Sequence, residues 1–234
     1  LRPLALAVGK SASSVGFISE NLRNKYFNII GPKAAEKILS KTCITPMGID
    51  QNELITNKSR EELRHFFGFK KFTVLFLGRL VPIKGADILI DALECLDECE
   101  IVVAGEGPER QSLELRAKNK NVSAEFLGAV NAETRADLFK ACDVLVLPSI
   151  TTKSKRTEGM PLVIIEAAAA NIPVIASDTG SVSEFITHKK NGLLFKERDI
   201  SALTALILEL KNNSKLRETL TQNAFENAKT RHWP

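Results

Sequence analysis

From residue 72 onward, short apolar runs alternate with amphipathic stretches at a steady spacing. FTVLFLG, EIVVAG, VSAEFLG, DVLVLPS, PVIAS and GLLF are largely continuous in their apolar character, which marks strands buried on both faces of a parallel sheet. Between them ADILIDALECL, PERQSLELRAKN, ETRADLFKAC and PLVIIEAAAA carry helical spacing, and SVSEFI predicts a short helix. DISALTALILEL and SKLRETLTQNAFENAKT follow the last strand as two more helices. Strand alternating with helix in this way predicts an α/β fold, a doubly wound Rossmann-like parallel sheet.

The first 45 residues follow a different pattern. AVGKSASSVGFIS predicts a strand and turn, with Ser19 as N-cap of a helix over ENLRNKYFN. KAAEKILS predicts a second small helix and CIT a strand, and no second full βαβ repeat fits there. Pro46 and Gly48 in PMGID punctuate a junction, and EELRHFFGFKKF predicts a connecting helix. The expected domains are therefore residues 1–45 and 46–234.

Composition narrows the function classes. A hydrophobic fraction of 44% with 26% charged residues fits a globular protein. The net charge of +4 leans toward anionic ligands but falls short of a nucleic-acid footprint, and one Trp and one Tyr are too few for base-stacking platforms. No nucleic-acid partner is expected. Cys43, Cys95, Cys99 and Cys142 form no CxxC pair and have no His at ligand spacing, which points to a reducing compartment, a cytoplasmic location and no metal. No run of eighteen apolar residues predicts a membrane span. LRPLALAVGK lacks a signal-peptide pattern, and the absence of an initial Met suggests a start within a larger protein. His65, His188 and His232 read as surface or helix-end residues, none placed to act as a base.

Ligands of open α/β sheets bind beyond the carboxyl ends of the strands. The segments there are GRLVPIKG, GEGPER, LGAV, PSITTKSKRTEG and SDTGS. GRLVPIKG sets Arg79 after Gly78, then Lys84 and Gly85 at the mouth of a helix. An exposed lysine there opposes the helix dipole, and a bound anion reverses the sign. Taken alone, the two cations read equally as solvated turn residues. GEGPER has Gly105 and Gly107 but Arg110 in place of a third glycine, and no acid ends the following strand, so it is not a dinucleotide fingerprint. In TTKSKRTEG, Glu158 and Gly159 lead to Pro161, read as the start of a helix with Glu158 at its first turn. Glu166 sits deeper in that helix, between Ile165 and four alanines. A carboxylate so placed loses hydration and needs compensating partners. Those are either an Arg or Lys in a buried ion pair, or the hydroxyls of a polyhydroxyl ligand.

GRLVPIKG, VVAGEGPE, FLGAVNAETRADLFKACDVLVLPS and EGMPLVIIEAAAANIPVIASDTGSVSEFI occur in the order and spacing of the family-4 retaining glycosyltransferases, and the chain resembles that family over about residues 42–232. Glu158 and Glu166 match its E-x7-E pair. TPMGID resembles the entry to its C-terminal domain, and VGKSASSVGFISENLRNKYF the last elements of its N-terminal domain. The resemblance implies one half of a GT-B fold and the transfer of a sugar from a nucleoside diphosphate (UDP, GDP or ADP) to an acceptor hydroxyl. It implies retention of anomeric configuration, a role in polysaccharide or glycoconjugate biosynthesis, and no metal or other cofactor. Arg79 and Lys84 would hold the diphosphate and Glu158 would face the donor sugar, the three as catalytic residues. Gly78 would border the donor, the backbone at Leu127 and Gly128 would meet the nucleobase edge, and Glu166 would accept from the ribose. The backbone from Gly159 through Met160 and Pro161 to Leu162 would help hold phosphate or sugar. Glu184 reads as structural, at the start of its short helix. Ser181 stands where a second glycine is common, and Ala170-Asn171 where Cys-Gly is frequent.

The acceptor, a sugar or a lipid-linked sugar, would be read by an N-terminal domain of which 1–45 is a remnant. The chain also stops at RHWP, where the family continues with a helix crossing back to that domain. The expectation is a donor-binding fragment with little transfer of its own, from a parent in peripheral contact with a membrane. A non-catalytic nucleotide- or sugar-binding module is the alternative. A signalling receiver domain is excluded, because FLGRLVPIKG lacks the clustered acids such domains need.

Overall fold

The structure, a computed structural model, describes residues 2–231. It divides into two compact units, Leu1–Gly48 and Ile49–Pro234.

The first unit runs α1 (Arg2–Ser11), β1 (Val15–Phe17), α2 (Glu20–Ile30), α3 (Pro32–Ile38) and β2 (Thr42–Ile44). Two expectations are corrected here. Arg2–Ser11 is helical rather than strand and turn, and only VGF is a strand. Tertiary packing overrides local propensity: Ala5 and Leu6 pack on Ile30, Ala35 and Ile38. Gly9 is buried where an added Cβ would lie 2.5 Å from Tyr26 Oη, and that hydroxyl donates to Ala5 O at 2.7 Å. The second correction concerns topology. β1 and β2 pair in parallel with α2 and α3 between them, a short βαβ unit where none was expected. Each strand has only three residues, too short a run to announce that the two pair across the intervening helices. Ser19 does cap α2, its Oγ accepting from Leu22 N at 3.2 Å.

The second unit opens with a 3-10 turn, Gln51–Leu54, and α4 (Arg60–Phe67). There follow β3 (Phe72–Leu77), α5 (Ala86–Leu93), β4 (Cys99–Ala104), α6 (Arg110–Asn119), β5 (Ala124–Gly128), α7 (Ala132–Ala141), β6 (Val144–Leu147), α8 (Leu162–Ala169), β7 (Val174–Ser177), β8 (Leu193–Phe195), α9 (Ile200–Asn212) and α10 (Ser214–Ala228). All strand pairs are parallel, in the order β5-β4-β3-β6-β7-β8. This is the doubly wound order, with its reversal between β3 and β6. Helices cover the sheet in two layers: α5 packs against α6 and α9, while α8 packs against α10 and α4 against α7. Val74, Leu75 and Phe76 are wholly buried, as continuous apolar strands require. SVSEFI is only a 3-10 turn over Val182–Glu184, and Glu184 ends it rather than starting it.

Among the described residues no helix is long and apolar enough to cross a membrane. His65 and His188 are exposed, while His232 lies outside the described residues. The four cysteines are unpaired; burial pushes the Cys99 thiol up to about 11 and Cys142 higher still, so neither is a reactive thiolate.

Candidate functional site

The carboxyl ends of β3 and β4 are stitched together by backbone. Gly78 N donates to Ala104 O at 3.0 Å, Gly105 N to Gly128 O at 2.7 Å, and Leu80 N to Glu106 O at 2.9 Å. Gly105, at φ +147°, lies so near Gly78 that a Cβ there would sit 1.8 Å from Gly78 O. Only glycine permits that approach. The turn leaving β3 is thereby held against the next strand end, and its side chains project into one cavity of about 540 Å³.

That cavity gathers Gly78, Arg79 and Lys84 from the loop after β3, Gly105 and Glu106 from the loop after β4, and Ala129 and Val130 after β5. Arg135 of α7 and Pro161, Leu162, Val163 and Glu166 at the start of α8 close it. Six residues expected from the sequence thus meet in one place: Gly78, Arg79, Lys84, Pro161, Leu162 and Glu166. Leu127 and Gly128 are not among the cavity's lining residues; the next two, Ala129 and Val130, are. Met160 is buried, and Gly159 O accepts from Ser181 N at 3.2 Å.

Lys84 ends a 3-10 turn, Pro82–Lys84, and Gly85 in the left-handed region (φ +65°) begins α5. A Cβ at Gly85 would lie 2.1 Å from Pro148 O, so the turn is pressed against the end of β6. Lys84 Nζ is 3.0 Å from Glu158 Oε1, and both side chains are mostly covered. Glu158 lies ahead of the helix rather than in its first turn, since Pro161 is the N-cap and α8 begins at Leu162. Arg79 is exposed on the cavity rim and forms no ion pair among the described residues.

Glu166 has a protein partner that the sequence left open. Arg135 Nη1 lies 3.1 Å from its Oε1, and Arg135 Nη2 lies 2.7 Å from Glu53 Oε2. Burial nevertheless raises the Glu166 pKa; Arg135 opposes the rise and Glu53 adds to it. A carboxyl group with a folded pKa above its unfolded one stabilises the fold only where it is protonated, and that contribution is lost as pH rises through the folded pKa. The chain thus keeps Glu166 at a cost near neutral pH, as a ligand-binding carboxylate would be kept.

A cavity of about 510 Å³ at the other end of the sheet holds Arg60, Asp143 and Arg217. Its cations and Asp143 are engaged within the protein: Arg60 and Arg64 pair with Asp143, which also accepts from Thr73 N, while Arg217 donates to Leu210 O and Lys211 O; Glu218 lines it as well. Among the described residues no cluster of three or more His, Cys, Asp or Glu is arranged to hold a metal.

The family described as "Glycosyl transferases group 1" matches residues 59–227. An uncharacterised glycosyltransferase of Methanocaldococcus jannaschii is 32% identical over 222 residues, covering 92% of this chain and 61% of its own length. A GDP-mannose-dependent alpha-(1-6)-phosphatidylinositol monomannoside mannosyltransferase of Mycobacterium tuberculosis is 30% identical over 218 residues, covering 89% of this chain and 55% of its own. The chain therefore spans little more than half the length of these relatives. Among solved structures, Anabaena HepE in complex with UDP and glucose superposes with a TM-score of 0.86 at 25% identity, covering 99% of this chain and 62% of that one.

Proposed function

The chain belongs to the glycosyl transferases group 1 family, and from that premise we propose that residues 46–234 bind a nucleoside diphosphate sugar whose sugar the protein passes to an acceptor hydroxyl with retention. The observation that carries this reading is a single cavity lined both by cations, Arg79 and Lys84 after β3 with Arg135 of α7, and by the carboxylates Glu106 and Glu166. A nucleoside diphosphate presents matching ends: phosphate oxygens that accept, and ribose hydroxyls that donate. The cavity volume of about 540 Å³ falls in the ordinary range for such ligands.

The chemical demand is to stabilise negative charge growing on the leaving β-phosphate as the sugar takes on oxocarbenium character. Arg79 and Lys84 supply preorganised positive charge there, in place of a metal ion. Glu158 is not among the residues lining the cavity and borders it through its ion pair with Lys84; on this reading it orients the sugar rather than attacking it. The relatives favour a hexosyl donor, since one is named for GDP-mannose and HepE was solved with UDP and glucose; UDP, GDP and ADP remain the candidate nucleotides. The acceptor, a sugar or lipid-linked sugar in polysaccharide or glycoconjugate assembly, is read by a domain of which residues 1–45 form a part.

Hydrolysis of UDP-glucose and GDP-mannose by the full-length protein without acceptor, followed by proton NMR, tests the reaction type. The first-formed sugar is expected to keep the donor's anomeric configuration, at a rate unaffected by EDTA. An inverted product or loss of activity with EDTA would contradict this reading.

A further inference from the structure

On the footing that Glu166 receives the ribose, we propose that Arg135 is a positioning residue for the nucleotide, anchored by Glu53 and fixing the Glu166 carboxylate against the cavity. The three side chains come from three elements: Glu53 from the 3-10 turn Gln51–Leu54, Arg135 from α7 and Glu166 from α8. That turn packs against both helices, and Asp50 holds it by accepting from Asn52 N at 2.9 Å. The guanidinium donates a hydrogen bond to Glu53 through Nη2 and stands in an ion pair with Glu166 through Nη1, so it cannot turn without giving up one of the two. Its contact with Glu166 uses Oε1 and leaves the second oxygen for hydroxyl donors.

Two observations separate this arrangement from an ordinary structural ion pair. Arg135 itself lines the cavity. Its Nε–H is also buried with no hydrogen-bond partner among the described residues, an unmet donor beside the ligand space. The electrostatics agree with the geometry. The charged groups around Glu166 are Arg135 of α7, Glu53 of the 3-10 turn, Arg79 and Lys84 after β3, and Glu106 after β4. Burial works against the ionised carboxylate, Arg135 works for it and Glu53 against it. Only the ionised form is purely an acceptor for ribose hydroxyls. Arg135 thus sets both the orientation and the charge of the group that binds, without being a catalytic residue.

The test is calorimetric binding of UDP, GDP and ADP between about pH 5 and 8, with Arg135→Met, Arg135→Lys, Glu53→Gln and Glu166→Gln. Affinity that depends on ionised Glu166 is lost as pH falls through its pKa. Arg135→Met is expected to weaken binding about tenfold near neutrality and to move the acid-side loss to higher pH. Arg135→Lys should recover most of both effects. Glu53→Gln removes a like charge and should move the loss to lower pH, the opposite direction. Glu166→Gln should flatten the profile. A purely structural Arg135 would change unfolding but not the pH profile. Wild-type profiles in Arg135→Met and Glu53→Gln, with binding still weakened in Glu166→Gln, would overturn this inference alone. Nucleotide binding by no form of the folded protein would overturn the functional reading and this inference with it. Should Arg135→Met not fold, the Glu53→Gln shift to lower pH decides the matter, with Arg135→Lys expected to stay close to wild type.

Discussion

Replacing Lys84 with alanine in the full-length protein is expected to lower sugar transfer by about 100- to 1000-fold. The lysine is one of three cations lining the cavity, with Arg79 and Arg135, and is far more enclosed than the exposed Arg79. Gly85 and the end of β6 fix its backbone, so little reorganisation accompanies charge development on the leaving phosphate. The substitution also strips Glu158 of its partner 3.0 Å away, leaving a carboxylate that repels the diphosphate. Both consequences act on the ligand rather than on the core, so the thermal unfolding midpoint should change little. Steady-state kinetics with varied donor, together with calorimetric melting, check the prediction. Activity within threefold of wild type would remove Lys84 from the reaction.

Gly105→Ala should have the second large effect, through the backbone. Gly105 has a positive φ of +147°, and an added Cβ would fall 1.8 Å from Gly78 O. Neither atom belongs to a flexible side chain, so the strand ends must separate, breaking the bonds that hold the β3 turn. The expected cost is about 3 kcal/mol of stability, with nucleotide affinity lost at least tenfold as Arg79 and Lys84 move out of place. Urea unfolding and calorimetric titration read the two quantities separately. Unchanged stability would mean that the two strand ends are not pressed together as described.

The parts of this account that the sequence discloses are those encoded locally. The strands of the six-stranded sheet are largely continuous apolar runs, broken in β5 by Glu125, and the helices between them carry their own periodicity. The strand order then follows from doubly wound topology. Arg79, Lys84 and Glu166 were visible because each is a charge out of keeping with its surroundings at a strand end or in an apolar helix. What stayed hidden depends on contacts distant in sequence. ETRADLFKAC reads as a solvated amphipathic helix, and nothing local marks Arg135 as the partner of Glu53, 82 residues before it, and of Glu166. Its place one turn into the helix that follows β5 is the single hint, since that position lies near the carboxyl edge of the sheet. In the first unit α1 was missed because packing against α2 and α3 sustains a helix that Gly9, Ser11 and their neighbours do not announce.

The measurement that bears most directly on the central claim is calorimetric titration of this chain with UDP, GDP, ADP and CMP, repeated with Lys84→Ala and Glu166→Ala. If the cavity binds a nucleoside diphosphate with its phosphates at Lys84 and its ribose at Glu166, one diphosphate binds saturably at one site per chain, and each substitution weakens it. A folded chain that binds none of the four, or binds one of them unaffected by both substitutions, would contradict the account.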